Sequence, residues 1–322
     1  MPKKKLVLII ALAIGVYIVM GIYADFSQLA RVITEFEWGY FVALLGLTTA
    51  GYLLRYLKWD LFLKKVGVSL PAKQNLFVFF SGLAMIVTPG KIGEIWKGWL
   101  IRDISGDSLS KTVPVVILDR ITDILSLILL SAVGILSYRE GAPLLVILLV
   151  IIAGFYAAIR SRSISERMLG VLERRAGKYA PDARAMHTTF EQAMEPATLL
   201  SLSALNALAW FCECLGLYVV VMGFHQQISA TLATFIFSFA SLAGGVSMIP
   251  GGIGLAEATI TGFLQVYGLD VASAIGITLV VRFGTLWYGV ILGSVVHLVF
   301  RRKMIPPHDL RKNMSDITHG GI

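Results

Sequence analysis

Long apolar segments constrain the fold of this chain more than any other feature of its sequence. A helix needs roughly 20 consecutive apolar residues to cross a bilayer, and six segments approach or exceed that length. They are residues 6–24, 39–57, 112–136, 143–159, 197–222 and 271–300. Continuous apolar runs are typical of helices rather than of the alternating strands of a membrane barrel. The sequence therefore predicts an all-α integral membrane protein with about six full transmembrane helices.

Composition supports a membrane protein, and the sequence gives little indication of a bound metal or cofactor. Hydrophobic residues make up 57% of the 322 residues and charged residues 15%, too apolar a mixture for a soluble domain. The first apolar run lacks a convincing cleavage site beside Tyr23, and we interpret it as a retained anchor rather than a signal peptide. Cys212 and Cys214 share one apolar run two positions apart, so they predict neither a disulfide nor a metal site. We expect no metal and no cofactor.

Two further apolar segments, residues 74–101 and 229–267, are interrupted by Pro-Gly pairs. Pro89 and Pro250 break the helical hydrogen-bond ladder, and Gly90 and Gly251 permit tight turns. Irregular backbone at membrane depth persists only where protein or a water-filled cavity covers it. We therefore interpret each segment as a broken, re-entrant helical hairpin that lines a site. The alternative is a pair of kinked but ordinary spans in each segment.

Basic residues orient the chain, because cytoplasmic loops of membrane proteins are enriched in Lys and Arg. With the N-terminus inside, most of the 28 basic residues fall on the inner side, and the outer loops carry only Arg31 and Arg139. We expect a multi-pass protein of the cell (cytoplasmic) membrane with both termini in the cytoplasm. Anionic lipid at the cytoplasmic surface accounts for the net charge of +8, so no nucleic-acid partner is expected.

The two halves of the chain repeat one pattern. PGKIG at Pro89 recurs as PGGIG at Pro250, half a chain length away. Each motif is followed by a glutamate, and the next long apolar run then carries an arginine. These residues are Glu94 and Arg120 in the first half and Glu257 and Arg282 in the second. By the topology above, the first hairpin enters from inside and the second from outside, which predicts the inverted repeat found in many secondary transporters.

A single polytopic domain, 1–322, holds both predicted repeats. Repeat one covers about residues 39–137 and repeat two about 197–300, joined by a cytoplasmic linker at about 160–196. In the linker, Ile164, Met168, Val171 and Leu172 recur at helical spacing, which favours an amphipathic helix on the inner leaflet. A plain linker is equally compatible with the sequence.

The Pro-Gly breaks predict a binding site for an anion. A helix that restarts after Gly90 or Gly251 presents unpaired N–H groups and the positive end of its dipole. An arginine adds a planar fork that suits phosphate oxygens. The predicted substrate-binding residues are Pro89, Gly90, Lys91, Gly93, Glu94, Arg120, Pro250, Gly251, Gly252, Gly254, Glu257 and Arg282. The alternative is purely structural, with the glycines as close-packing contacts between helices.

Charged residues inside spans are costly and normally face a partner or a cavity. Asp119, Asp123 and Glu213 are candidates for charge balance or proton coupling. The alternative for Asp119 and Asp123 is a structural charge cluster, and the alternative for Glu213 is a hydrogen bond that supports helix packing. The run Arg55, Tyr56, Lys58 and Trp59 is interpreted instead as an anchor at the membrane interface.

Three motifs, TPGKIGEIWKGWLI, LDRITDIL and SMIPGGIGLAEA, together resemble the flippase-like transmembrane region of lysylphosphatidylglycerol synthases. The resemblance covers nearly the whole chain and suggests a stand-alone member, because no aminoacyltransferase domain follows Phe300. It implies a role in moving lipids between leaflets. It also implies that the Pro-Gly residues, Gly93, Glu94, Arg120, Gly252, Gly254 and Glu257 belong to the family's motifs.

The resulting hypothesis is a lipid flippase or transporter, not an enzyme. Its partner would be a phospholipid, a polyprenyl phosphate or a related anionic amphiphile, moved by alternating exposure of the two repeats. The sequence contains no P-loop, HExxH or GxSxG motif, so ATP-driven transport by this chain alone is not expected. Two alternatives stay open, namely an intramembrane enzyme that modifies lipid phosphates and a scaffold for envelope glycosyltransferases.

Overall fold

The computed structural model describes residues 3–88, 93–135 and 195–305, with residues 146, 150, 154, 185–186 and 188–189 between them. These residues form helices and no strand. The helices are α1 Lys3–Ala24, α2 Phe26–Thr34, α3 Trp38–Lys65, α4 Ala72–Leu83, α5 Trp96–Ser105, α6 Leu109–Ile135, α7 Pro196–Gly223, α8 Ala230–Val246, α9 Leu255–Val266, α10 Val271–Arg282 and α11 Tyr288–Met304. The linker helix lies outside the described residues, and so does the predicted span at 143–159 apart from residues 146, 150 and 154.

The protein is an α-helical membrane protein. By length and composition, three described segments are apolar enough to cross a membrane, namely α3, α7 and the continuous segment Val271–Met304. A fourth results if α1 and α2 form one bent span. Helix α6 has 27 residues but carries three charged side chains in its middle. The total of six full spans stays a prediction.

Helix α2 is an element that the sequence analysis did not predict. The axes of α1 and α2 differ by 94° at a break on Asp25. Asp25 has a φ of +63°, which L-residues rarely adopt, and its carboxylate accepts a hydrogen bond from the Ser27 backbone N–H at 2.8 Å. A capping side chain thus ends one helix and starts the next almost at right angles.

Helices α3 and α7 pack side by side and run in opposite directions. At one end, the Lys65 ammonium donates to the Glu195 carboxylate just before α7 and lowers the pKa of that carboxyl. At the other end, the Glu37 backbone N–H donates to the Gly223 carbonyl at 3.0 Å. We call these the Lys65 end and the Gly223 end of the bundle. Opposite directions for these two helices are what the charge-based topology predicts.

Both interrupted segments contain two short helices on either side of a break, as the sequence predicts. The first segment comprises α4 and α5, and its Pro-Gly pair lies outside the described residues. The second comprises α8 and α9, joined through a single 3-10 turn, Pro250–Gly252. Whether either hairpin crosses the membrane or re-enters it stays a prediction.

The hairpins are packed at opposite ends of the bundle. Helices α4 and α5 contribute Phe77 and Leu100 to a core cluster that includes Leu63, near the Lys65 end. Helices α8 and α9 contribute to a second cluster, near the Gly223 end. The breaks of the two hairpins then meet, because Val87 and Ile253 pack together against α1. The two interrupted segments therefore approach each other in the interior from opposite ends.

Arg282 lies at a change of helical geometry. It is the last residue of α10, and Phe283–Trp287 forms one π-helical turn before α11 begins. Short π-turns within helices often occur at functional sites. The carbonyl of Thr285 in this turn accepts a hydrogen bond from the buried Tyr52 hydroxyl at 2.7 Å, which fixes the turn against α3.

Candidate functional site

The arginine of each predicted repeat is paired with the glutamate that follows its Pro-Gly motif. In the first half, Arg120 Nη2 lies 3.2 Å from Glu94 Oε2. In the second half, Arg282 Nε lies 2.7 Å from Glu257 Oε1. The sequence analysis placed these four residues in the site but assigned the arginines to the substrate. The structure gives each arginine a carboxylate partner within the protein.

The pair in the second half fixes the Pro-Gly turn. Arg282 Nη2 donates to the Gly251 carbonyl at 2.7 Å, so one guanidinium holds both the turn and the glutamate. Glu257 is fully buried, and its second oxygen accepts the Gly254 backbone N–H at 2.7 Å. The start of α9 was predicted to offer free N–H groups to an anion. One of these donors is instead satisfied by the protein's own carboxylate.

Arg120 belongs to a denser network on α6. Its guanidinium lies 2.6 Å from Asp119 and 2.7 Å from Asp123, in addition to Glu94. Lys97 on α5 lies 3.0 Å from Glu94 and 3.5 Å from Asp119, and it is 3% exposed. The first hairpin and α6 are therefore joined by alternating charges.

Lys58 and Trp59 correct the sequence interpretation, because neither anchors the protein at the membrane interface. Both are 0% exposed. Lys58 Nζ lies 2.8 Å from Asp119 and 2.8 Å from the Asn206 side-chain oxygen, so it joins α3, α6 and α7. Trp59 donates its indole N–H to Asn75 on α4 at 3.0 Å. Both residues stabilise the bundle from within.

Arg55 is a second correction, since it lies in the interior and not at the interface. It forms an ion pair with Glu213 on α7, which gives that lone acid a partner across two helices. Its guanidinium also lies over the Trp210 ring, 4.2 Å from the ring centre. The sequence contained a signal for this pair, because a lone acid such as Glu213 within one span requires a compensating charge from another span.

These groups line a polar cavity of about 110 Å³. From the first half, the lining includes the five charged residues Glu94, Lys97, Asp119, Arg120 and Asp123. From the second half, it includes Gly251, Gly252 and Arg282, and Arg55 and Glu213 complete the charged lining. Phosphate-sized groups fit such a space, which holds several water molecules by volume. The cavity therefore brings together predicted site residues from both halves of the chain.

Three guanidinium nitrogens of arginines that line this cavity are themselves buried from contact with water and have no hydrogen-bond partner in the described part of the chain. They are Nε and Nη2 of Arg55 and Nε of Arg120. Buried donors are normally satisfied, and each unsatisfied one needs an explanation. For Arg55, the Trp210 ring that lies against its guanidinium presents a π face in place of an oxygen acceptor.

Other predicted site residues support the turns or lie outside the described residues. Pro250, Gly254 and Glu257 form or brace the second turn without lining the polar cavity. Gly93 donates its backbone N–H to Thr88 across the first break at 2.8 Å. The remaining three, Pro89, Gly90 and Lys91, fall in the stretch that the structure does not describe.

The glycines of the second turn have a structural role as well as a position in the cavity wall. Gly251 and Gly252 have φ values of +61° and +67°, which favour glycine. A Cβ on Gly252 would lie 2.9 Å from the Gly244 Cα on α8, so the close approach of turn and helix requires glycine there. Gly251→Val would therefore strain the turn.

Comparison with known proteins agrees with this architecture. Residues 8–293 match the model of the lysylphosphatidylglycerol synthase TM region. A UPF0104 membrane protein of Methanothermobacter thermautotrophicus is 27% identical over 92% of this chain and 93% of its own length. A UPF0104 membrane protein of Pyrococcus horikoshii is 24% identical over 94% of this chain and 99% of its own.

A third relative, a UPF0104 membrane protein of Methanocaldococcus jannaschii, is 20% identical over 68% of this chain and 94% of its own length. The family match extends across both hairpins and all the paired charges described above. The chain belongs to the lysylphosphatidylglycerol synthase TM region family of membrane proteins.

Proposed function

We propose that this protein moves an anionic, phosphate-bearing lipid between the leaflets of the cell membrane. The head group would enter the polar cavity between the two hairpins. The observation that carries the proposal is the convergence of Arg55, Arg120 and Arg282, from both halves of the chain, on that cavity. Planar arginine forks match phosphate oxygens in two-point contacts.

Charge in the cavity network is balanced among the described residues. Its cations are Arg55, Lys58, Lys97, Arg120 and Arg282, and its carboxylates are Glu94, Asp119, Asp123, Glu213 and Glu257. A phosphate that enters a neutral network in a low-dielectric interior is stabilised by a compensating positive charge. We propose that Lys91 or a proton taken up by one of the lining acids, such as Asp123, provides it.

Alternating access would use the opposed hairpins. The repeated pairing of a glutamate with an arginine, Glu94 with Arg120 and Glu257 with Arg282, supports two related halves. Packing of the hairpins toward opposite ends supports an inverted relation between these halves. In transporters with that arrangement, rocking of one repeat against the other exposes a central site to each side in turn.

A test of head-group binding can use dihexanoyl phosphatidylglycerol, a short-chain lipid that is soluble in water. Gly245 lines the cavity, and a Cβ placed there would meet no atom within 4 Å, so Gly245→Phe adds a bulky side chain at the cavity without a clash at its Cβ. Gly46 on α3 is equally open but lies elsewhere, which makes Gly46→Phe the matched control. We expect the lipid to raise the melting temperature of wild type and of the control, but not of Gly245→Phe.

Equal stabilisation of all three proteins would contradict the proposed site. Release of phosphate or of a free head group by the purified protein would instead support the enzymatic alternative. Normal envelope assembly in cells that carry only Gly245→Phe would favour the scaffold alternative.

A further inference from the structure

A second, apolar groove lies beside the polar cavity. It has a volume of about 780 Å³ and is bounded by α1, α9 and α10. Its walls include Gly15 and Val19 on α1, Ala258 and Gly262 on α9, and Ile275 on α10. Thr261 is among its few polar side chains, and its hydroxyl is already hydrogen-bonded to Thr278 at 2.9 Å. The groove has the size of a ligand pocket and an apolar wall.

Glycines keep this groove open on both sides. A Cβ on Gly15 or on Gly262 would meet no atom within 4 Å. Gly252, by contrast, lies in close contact with α8 backbone. Gly15 and Gly262 therefore do not serve helix packing among the described residues, and they leave room for an elongated apolar group.

The groove and the polar cavity lie on either side of one short turn. Gly251 lines the cavity, whereas Gly254 lines the groove. Three residues of chain span at most roughly 11 Å. Between the two glycines, Ile253 is 2% exposed and packs with Ala13 of α1. A polar and an apolar site are thus adjacent, as the two parts of one amphiphile require.

We propose that the groove binds the hydrocarbon tail of the same lipid whose phosphate head group occupies the polar cavity. This inference rests on the proposed function. It makes α1 part of the substrate site, because α1 forms one wall of the groove while its other face covers the breaks of both hairpins. The adjacency of groove and cavity across one short turn favours the substrate tail over an unrelated bilayer lipid or a second copy of this chain.

The test uses phosphatidylglycerol with a diazirine near the end of one oleoyl chain. After irradiation of the full-length protein in nanodiscs, mass spectrometry maps the labelled residues. We expect labels on α1 and α9 in wild type and in Gly46→Phe. Gly15→Phe combined with Gly262→Phe should lose these labels and still be stabilised by dihexanoyl phosphatidylglycerol, because its polar cavity is unchanged.

Competition separates the substrate tail from other occupants. An excess of dihexanoyl phosphatidylglycerol should remove the groove labels, since it takes the head-group site and thereby displaces the lipid whose tail carries the diazirine. Labels that resist this competitor, or that persist in the double variant, would overturn the groove assignment alone. Absence of labels in wild type, together with cross-linking of two chains, would also overturn the groove assignment, because a second copy of the chain would then cover the groove. If the competitor fails even to stabilise wild type, the proposed function fails and the groove assignment fails with it.

Discussion

Removal of the Arg282 side chain should destabilise the protein by leaving the Glu257 carboxylate buried without its cation. Arg282→Met deletes the 2.7 Å ion pair with Glu257 and the 2.7 Å hydrogen bond to the Gly251 carbonyl. At a charge separation of about 4 Å and an effective dielectric constant of about 20, the lost attraction is roughly 4 kcal/mol. A lost hydrogen bond adds about 1 kcal/mol. Loss of one partner from a buried pair typically costs about 3–5 kcal/mol, and we expect a value in that range.

A second substitution tests whether the buried charge causes this loss. Glu257→Gln removes the charge but keeps an oxygen that can accept the Gly254 N–H. Combined with Arg282→Met, it should recover about 2–3 kcal/mol of the free energy of unfolding, a coupling typical of residues in contact. Arg302→Met, at an exposed position of α11, is the control and should stay within about 0.5 kcal/mol of wild type.

The assay is reversible unfolding in mixed micelles of a mild detergent and dodecyl sulfate, followed by circular dichroism. A loss below about 1 kcal/mol for Arg282→Met would refute the argument that the ion pair stabilises the turn, since buried pairs cost several times that when broken. The same conclusion follows if the double variant is no more stable than Arg282→Met. A stable double variant that no longer binds dihexanoyl phosphatidylglycerol would show that Arg282 also contacts the lipid.

Three further predictions concern other parts of the molecule. Lys58→Met should reduce the free energy of unfolding by about 3–5 kcal/mol, measured in the same micelles, because it removes the buried cation shared by α3, α6 and α7; a neutral effect would contradict the interior assignment. Gly251→Val should lower the melting temperature even without lipid, owing to its φ of +61° and a Cβ contact of 3.3 Å with a neighbouring side chain. Single cysteines at Lys65 and Arg302 should react with impermeant maleimide on one side of the membrane and a cysteine at Gln226 on the other; reaction of all three on one side would remove the opposed-hairpin argument.

Sequence patterns predicted the helical architecture and the acids of the charge network, together with Arg120 and Arg282, because these depend on local signals. They did not identify its other cations, Arg55, Lys58 and Lys97. Apolar run length identified the long helices, and Pro250 with Gly251 identified the second break. The recurrence of Glu94 and Glu257 after the two motifs indicated related sites. Their pairing with arginines was not predictable, since it depends on how α6 and α10 pack against the hairpins.

The incorrect assignments concern residues whose neighbours in the sequence are typical of the membrane interface, although the residues lie in the protein interior. Arg55 and Lys58 lie beside Tyr56 and Trp59, a combination typical of the membrane interface. Their burial depends on acids and amides contributed by distant helices, among them Glu213. The break at Asp25 was not predicted for a related reason, because packing of Leu29 against Ala24 and α10 stabilises the sharp bend in addition to the Asp25 cap.

The proposed movement of lipid through the cavity is measured most directly in proteoliposomes that contain phosphatidylglycerol with a fluorescent head-group label. Dithionite added outside bleaches only outer-leaflet label unless the protein moves lipid across the bilayer. Wild type and Gly46→Phe should allow bleaching of inner-leaflet label, whereas folded Gly245→Phe should match protein-free liposomes because of its bulky side chain at the cavity. If the inner-leaflet label stays fluorescent in wild-type proteoliposomes, the proposed lipid movement is contradicted. Lipid movement by Gly245→Phe at the wild-type rate would contradict the assignment of the pathway to this cavity.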